Sequence, residues 1–161
     1  MNGSVKVVVG VMLVVLAGCV AQPERMAQTP SGWPEVIIAT PNKQLIKEKI
    51  IAMDAKLGWN LEQETESTVL FTKVDNSGSF GSLMTKNMLG NAYSTLPQYE
   101  MRYIFSTDGD STHVIVNVAV STQMPMGQVN RLFLDNNNMV FNTFQLQLNK
   151  IKDEIESRPV P

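Results

Sequence analysis

One cysteine and one histidine limit the chemistry available to this chain of 161 residues. Cys19 lies near the amino terminus and His113 lies far along the chain. A structural zinc site needs about four Cys, His or carboxylate ligands and a disulfide needs two cysteines, so both are disfavoured. His113 could act as a general base or a pH-sensitive group on a sheet surface. We prefer the simpler interpretation, a half-exposed strand residue beside a turn.

The carboxylates and serines follow no catalytic pattern. Asp108 and Asp110 flank a glycine, which is typical of a tight hairpin turn. Glu62, Glu64 and Glu66 alternate along one predicted strand, as expected for a solvated face that discourages edge pairing. The serines lack G-x-S-x-G spacing, and the chain contains no Gly-Lys-Ser/Thr sequence to cradle a phosphate. We therefore expect a protein that is not an enzyme and has no metal site.

The charge balance argues against nucleic acid as a partner. The chain has 13 Lys and Arg against 15 Asp and Glu, and its formal net charge is −2. Binding of a phosphate backbone needs clustered basic side chains. The length is that of one domain with a core large enough to fold alone.

The first residues have the order of an export signal. Lys6 precedes an apolar run from Val7 to Leu16, which is shorter than the ~20 residues of a membrane-spanning helix. The run ends in Leu16-Ala17-Gly18-Cys19. This sequence resembles the bacterial lipobox. The resemblance implies cleavage before Cys19 and attachment of diacylglyceryl and acyl chains to that cysteine.

We therefore expect residues 1–18 to be a cleaved lipoprotein signal peptide and Cys19 to hold the mature chain on a membrane. The alternatives are an ordinary cleaved signal peptide with an incidental Cys19, or an uncleaved anchor. In Gram-negative lipoproteins an Asp after the cysteine commonly causes retention in the inner membrane. Val20 stands at that position. For a Gram-negative source, the resemblance implies sorting to the outer membrane, with the domain facing the periplasm.

Residues 19–34 contain three prolines and a glycine but few branched apolar side chains. Such a composition disfavours a helix and favours an extended chain. We interpret residues 19–34 as the acylated cysteine followed by a flexible tether. The alternative is an irregular arm that packs on the domain, with Trp33 as its anchor.

Residues 35–158 show the periodicities of a single α+β domain. Glu35–Ala39 predicts a strand, and Asn42–Leu57 predicts an amphipathic helix with Thr40 as N-cap, Pro41 at the first helical position and Gly58 at its end. Four more strands are predicted at Trp59–Glu66, Thr68–Val74, Tyr99–Ser106 and Thr112–Thr122. A long helix is predicted through Phe141, Phe144, Leu148, Ile151 and Ile155. Residues 128–138 are predicted to begin this helix or to form a shorter one joined to it.

The predicted order β-α-β-β-β-β-α gives a two-layer sandwich, an antiparallel sheet of four to five strands packed against two helices. This order resembles that of helix-grip domains in envelope lipoproteins such as BamC. The resemblance is one of topology over about residues 35–157, and it assigns no binding residue.

The segment 75–98 between two predicted strands is longer than a hairpin needs, and long inserts are often functional. Methionines in particular adapt to several partners. The apolar side chains that could form an interaction surface are Phe80, Leu83, Met84, Met88, Leu89 and Tyr93. The insert could be a flap over a groove between helix and sheet, with a short helix around Ser82–Met88. The alternative is a helical crossover that adds to the core.

These observations predict a membrane-anchored envelope lipoprotein that acts as a non-enzymatic interaction or assembly subunit with an envelope protein partner. The alternative is a binding module for a lipid or another apolar ligand in a helix-to-sheet groove. A third hypothesis, an envelope hydrolase, needs a cleft with His113 beside a carboxylate. No cofactor is expected beyond the lipid on Cys19, and the sequence specifies no oligomeric state.

Overall fold

The structure is a computed structural model that describes residues 23–77, 85–86, 88–91 and 93–157. The predicted signal peptide, Cys19 and Val20 lie outside the described residues. The elements, in chain order, are β1 (Glu35–Ile38), α1 (Lys43–Lys56), β2 (Asn60–Glu64), β3 (Thr68–Val74), β4 (Gln98–Asp108), β5 (Ser111–Gln123), β6 (Val129–Phe133) and α2 (Asn138–Glu156). The predicted α+β class is confirmed.

The strands form one antiparallel sheet in the order β1-β5-β4-β3-β2, with β6 also paired to β5. β1 pairs with residues 112–115 of β5 and β6 pairs with residues 119–123, so both lie along the same edge of that strand. Both helices pack on one face of the sheet, and the other face is open. The two-layer sandwich is confirmed, with six strands in place of the predicted four to five.

Residues 129–133 form β6, so the prediction of a helix over residues 128–138 is wrong in this part. β5 is 13 residues long and β1 covers only its first part. The backbone groups of the remaining part need hydrogen-bond partners, because unpaired polar groups in a sheet are costly. β6 supplies them, with Phe133 opposite Ala119 and Val129 opposite Gln123. α2 then begins at Asn138.

The core lies between the sheet and the two helices. The predicted β4–β5 hairpin is confirmed, with Tyr103 opposite Val116 and Phe105 opposite Val114, all four buried. The rings of Phe71 and Tyr103 meet edge to face with 6.1 Å between their centroids. The helices contribute the buried side chains Ile46, Ile50, Phe141, Leu148, Ile151 and Ile155.

α1 begins at a different cap from the predicted one. Asn42, and not Thr40, is the N-cap, since its side chain accepts a hydrogen bond from the backbone N–H of Leu45 at 3.1 Å. An N-cap oxygen bonds to the N–H group two or three residues later, and Asn serves this role as well as Thr. The predicted end is confirmed. Gly58 follows the helix with φ of +79°, a conformation that favours glycine.

β2 is shorter than the predicted Trp59–Glu66, because Trp59 lies before it and the last residues form the turn to β3. The pairing of β2 with β3 shifts by one residue between Leu61 and Gln63. The insert lies between β3, which ends at Val74, and β4, which begins at Gln98. Of the short helix expected around Ser82–Met88, residues 82–84 and 87 lie outside the described residues, while residues 85–86 and 88–89 are helical.

Arg25 fixes the segment that precedes β1 to the start of α2. Its guanidinium donates to Asn138 Oδ1 at 2.9 Å, to the backbone oxygen of Gly32 at 3.2 Å and to that of Asp135. The same group lies 4.6 Å from the centroid of the Phe141 ring. This part of the chain is therefore held by several interactions at once.

Three further contacts hold the same segment, which we call the arm (Glu24–Trp33). The side chain of Asn142 accepts from the backbone N–H of Met26 at 2.9 Å and donates to the backbone oxygen of Glu24 at 2.8 Å. The rings of Trp33 and Phe133 meet edge to face at 6.0 Å. Over these residues the structure differs from the expected flexible tether and agrees with the alternative of an irregular arm.

Side chains of α2 bond to the free edge of β1. Gln145 accepts from the backbone N–H of Glu35 and donates to its carbonyl oxygen, both at 3.0 Å. Nearer the end of the helix, Lys152 Nζ donates to the Ile37 oxygen at 2.6 Å, and Glu156 accepts from the Ala39 N–H at 2.8 Å. α2 thus occupies hydrogen-bonding positions that another strand would use.

Candidate functional site

An open groove lies between the amino-terminal half of α2 and the sheet. Its cavity volume is about 630 Å³, within the ~300–1,000 Å³ that is typical of ligand sites. Its walls are formed mainly by the apolar or aromatic side chains of Trp59, Val74, Tyr99, Val118, Leu134, Val140 and Phe144. We call it the helix–sheet groove. A groove of this kind is what the ligand-binding alternative requires.

The position of α1 explains why the groove exists. α1 ends at Lys56 and lies beside the carboxy-terminal half of α2, where Lys49 Nζ is 3.2 Å from Glu154 Oε2. Beside the amino-terminal half of α2, where α1 does not extend, Tyr99 and Val118 of the sheet form the floor of the groove.

The polar groups of the groove come from Lys73 and from residues 75–77. Lys73 Nζ donates to the backbone oxygen of Leu57 at 2.9 Å and lies 5.8 Å from the centroid of a Trp59 ring. This contact supports the Trp59 side chain as a wall of the groove. Burial, and then the nearby charge of Asp75, raise the pKa of Tyr99 above its usual value, so its phenol stays neutral at neutral pH.

A buried polar cluster lies one helical turn further along α2. Asp54 is fully buried, and its Oδ1 accepts from Gln147 Nε2 at 2.7 Å. The same nitrogen donates to Tyr103 Oη at 3.2 Å, and Tyr103 also hydrogen-bonds to Asp54. Burial raises the pKa of Asp54 to about 6, although the bonds from Tyr103 and Gln147 lower it. Burial also raises the pKa of Tyr103, as do the charge of Asp54 and the bond to it.

This cluster can change charge near neutral pH, but it is closed to a substrate because Asp54 and Tyr103 are both fully buried. Sequence reasoning missed it. The available signal was the position of Asp54, which follows Ile46 and Ile50 at helical spacing and so places an acid on the apolar side of α1.

His113 lies beside a carboxylate on the open face of the sheet. Its Nε2 is 3.5 Å from Glu35 Oε2, and its side chain is one-third exposed, as the interpretation of a half-exposed strand residue predicts. Ser106 of β4 is the cross-strand neighbour of His113. A serine nucleophile must hydrogen-bond to its histidine, and the polar contact that the structure gives to the imidazole is with Glu35. The geometry offers no further support for the hydrolase hypothesis.

The predicted turn and the glutamate row can be placed directly. Gly109 has φ of +56° between β4 and β5, which confirms the turn at Asp108–Asp110. Glu62 and Glu64 lie in β2 and Glu66 lies in the turn after it, so the three do not form one row along a strand. All three are exposed, as predicted, and they have separate partners. These are Thr72 Oγ1 at 3.3 Å for Glu62, Lys47 Nζ at 3.4 Å for Glu64, and Lys43 Nζ at 3.6 Å for Glu66.

The open face also carries cavities, but these are smaller or more polar than the helix–sheet groove. A depression of about 160 Å³ lies beside Phe133 and Arg102, next to Arg131, whose Nη2 is 2.7 Å from Glu100 Oε2. A cavity of about 660 Å³ near residues 95–98 has mostly polar lining side chains. Neither has the apolar walls that a hydrophobic partner would require.

The predicted interaction surface is only partly described. Phe80, Leu83 and Met84 lie outside the described residues. Met88 and Tyr93 are 79% and 85% exposed, whereas Leu89 is half-buried and its backbone oxygen accepts from Asn130 Nδ2. These three do not line the helix–sheet groove. Most groove residues were assigned from the sequence to the core or to strands, because their apolar character is the same in both settings.

Comparisons of the chain with protein-family models, with curated proteins and with solved structures found no match. Within residues 23–77, 85–86, 88–91 and 93–157, no group of three or more His, Cys, Asp or Glu side chains is placed to hold a metal ion. In the same described part of the chain, no helix is both long and apolar enough to cross a membrane.

Proposed function

We propose that the chain is a membrane-anchored envelope lipoprotein and that its domain is a non-enzymatic interaction subunit. In this proposal, the helix–sheet groove receives an apolar segment of an envelope protein partner. The observation that carries the proposal is the groove itself, with its volume of about 630 Å³ and its largely apolar walls.

The shape of the groove favours a peptide segment over a small molecule. Small-molecule sites usually enclose most of the ligand surface, whereas this groove is open along one side. An amphipathic segment can place its apolar face in such a groove and keep its polar face in water. Lys73 and Asp75 at the rim carry opposite charges that could orient the segment.

The lipobox-like sequence around Cys19 supports the anchor. Replacement of Cys19 by Ala removes the thiol that would be acylated. We expect the Cys19→Ala protein to leave the membrane fraction and to lack the mobility shift caused by the acyl chains. If it stayed in the membrane with unchanged mobility, the lipoprotein part of the proposal would be wrong.

The groove is tested by placing a charge in it. Val74 lines the groove and also borders the polar cavity near residues 95–98, whereas Val129 lines that cavity and not the groove. Val74 is 45% exposed, Val129 is 52% exposed, and Ile37, on the edge strand β1, is 60% exposed. We compare Val74→Asp with the controls Val129→Asp and Ile37→Asp in cells that produce the full-length protein, with cross-linking followed by mass spectrometry. The partner captured by the wild type should be lost with Val74→Asp and kept with both controls, since only the charge in the groove must be desolvated on binding.

All three variants should show the same thermal unfolding midpoint, which excludes a folding defect as the cause of any loss. Recovery of the same partner in equal amount with Val74→Asp would contradict the groove as the binding site.

The volume of the groove also supports a second candidate, binding of an apolar small molecule such as a lipid. Val140 forms part of the wall, and Val140→Trp would fill part of the space. Native mass spectrometry of the purified protein should then show a co-purified ligand in the wild type and less in the variant. A wild type without bound ligand would remove this candidate.

A further inference from the structure

Three exposed apolar side chains lie together where the arm meets α2. Met26, Met139 and Leu146 are 47%, 64% and 57% exposed. Met139 and Leu146 lie one turn before and one turn after Asn142 on the same side of α2, and the backbone N–H of Met26 bonds to the Asn142 side chain. We call this set the anchor-side patch.

Charged residues are absent from the part of α2 that carries the patch. From Asn138 to Asn149 the helix contains no Asp, Glu, Lys or Arg, and its charged residues all lie between Lys150 and Glu156. The exposed face of a surface helix usually carries charged as well as polar side chains. The outer surface of α2 is therefore uncharged at the end near the arm and charged at the other end.

The chain that leads to the patch is short. Five residue steps separate Cys19 from Glu24, whose backbone oxygen is bonded to Asn142. A fully extended chain covers at most ~3.6 Å per residue, so these steps span no more than about 18 Å. α2 itself, at ~1.5 Å per residue, is about 28 Å long. A lipid on Cys19 would therefore hold the patch close to the bilayer and leave the far end of α2 further away.

We propose that the anchor-side patch rests in the headgroup region of the membrane that holds the lipid anchor. This inference depends on the proposed acylation of Cys19. Because the lipid anchor already holds the domain at the membrane, contact of the patch with the bilayer is effectively intramolecular. Three apolar side chains are then sufficient to keep the patch on the membrane, although they would not recruit a free domain to it. In this arrangement the patch contacts lipid. The open face of the sheet points away from the membrane, because α2 lies between the sheet and the membrane.

The test depends on Cys19 being the single cysteine of the chain. Once Cys19 is acylated, an introduced cysteine is the only free thiol, so it can carry an environment-sensitive fluorophore. We choose Met139→Cys and Leu146→Cys in the patch, with Asp110→Cys in the β4–β5 turn as the control. Each acylated full-length protein is reconstituted in vesicles of phosphatidylethanolamine and phosphatidylglycerol, with and without a lipid that carries a quencher in its upper acyl chain.

We expect blue-shifted emission and loss of intensity with the quencher lipid at positions 139 and 146, and neither effect at position 110. If the protein floats with the vesicles but emission at both patch positions is red-shifted and unquenched, the patch does not contact the membrane. This result would overturn the proposal without contradicting the acylation of Cys19. Shielding that appears only in native membranes, and not in vesicles of lipid alone, would overturn it in favour of a protein partner. Failure of the protein to float with the vesicles would instead contradict the acylation.

Discussion

Replacement of Asp54 by Asn removes the only charge from the buried cluster of Asp54, Tyr103 and Gln147. The amide has nearly the shape of the carboxylate and can still accept from Gln147 Nε2, which is 2.7 Å from Asp54 Oδ1. It cannot ionise. Asp54 Oδ2 has no hydrogen-bond partner in the described part of the protein, so in the wild type the charged carboxylate is buried with only part of its hydrogen-bonding capacity used.

The size of the effect follows from the pKa of Asp54, which burial raises from 3.8 to about 6. One pKa unit corresponds to ~1.36 kcal/mol, so the difference amounts to about 3 kcal/mol. Between these two pKa values the folded protein binds more protons than the unfolded chain. The free energy of unfolding therefore falls as the pH rises from about 4 to about 6, and the loss is complete above that range.

The assay is urea unfolding at several pH values between 4 and 8. It uses the chain from residue 19 with Cys19→Ser, which cannot be acylated. The stability of Asp54→Asn relative to the wild type should rise by about 2.5 kcal/mol from pH 4 to pH 7, because the unfolded carboxyl is already partly ionised at pH 4. At a typical slope this is a shift of about 1.2 M urea. A change in packing caused by the substitution would alter the free energy of unfolding by the same amount at every pH. The pH dependence of the difference therefore reports the ionisation of Asp54 alone.

Tyr103→Phe provides a second test of the same cluster. The Tyr103 hydroxyl stabilises the charged form of Asp54 and lowers its pKa. Its removal should raise the pKa of Asp54 further and widen the pH range over which stability is lost. The difference in the free energy of unfolding between Asp54→Asn and wild type should change with pH. If it were constant from pH 4 to pH 8, the reasoning would be refuted, because the ionisation of Asp54 would then not affect folding.

Two further predictions concern α2. Gln145→Ala should lower the free energy of unfolding by about 1–3 kcal/mol, because it removes two bonds to Glu35 that are each worth about 0.5–1.5 kcal/mol. Thr143→Ala, on the exposed side of the same helix, should stay within about 0.5 kcal/mol of wild type in the same urea assay, and equal values for the two variants would contradict the role of Gln145. Arg25→Ala should release the arm and speed its cleavage by a non-specific protease, measured by mass spectrometry, and an unchanged rate would show that Arg25 does not hold the arm.

The elements that could be predicted from the sequence are those whose residues repeat over short distances. The alternating valines of β5 place one side of the strand in the core, and a shift by one residue would expose all of them. The apolar residues of α2 recur every three or four positions, which defines its buried side in the same way. In both elements local periodicity and one-sided burial favour the same structure.

The features that could not be predicted depend on partners far away in the sequence. Arg25 bonds to Asn138, 113 residues later, and proline content near Arg25 indicates only that the segment is not helical. β6 forms because part of β5 lacks a partner, which is a property of the sheet and not of residues 129–133. The helix–sheet groove has the same origin, since it is a place that α1 does not reach, and its apolar side chains alone cannot be distinguished from core residues.

The arrangement around α2 narrows the kind of partner that the groove would accept. At 3.6 residues per turn, Asn138 and Asn142 lie on one flank of the helix, and Val140 and Phe144 lie on the opposite flank. The arm contacts the first flank and the groove borders the second, with Met139 and Leu146 between them on the outer side. If the outer side rests on the bilayer, the groove opens sideways along the membrane surface, at a height no greater than the ~10 Å diameter of a helix. A segment that enters it must then run close to the membrane, which favours a juxtamembrane stretch of the partner over a distant loop.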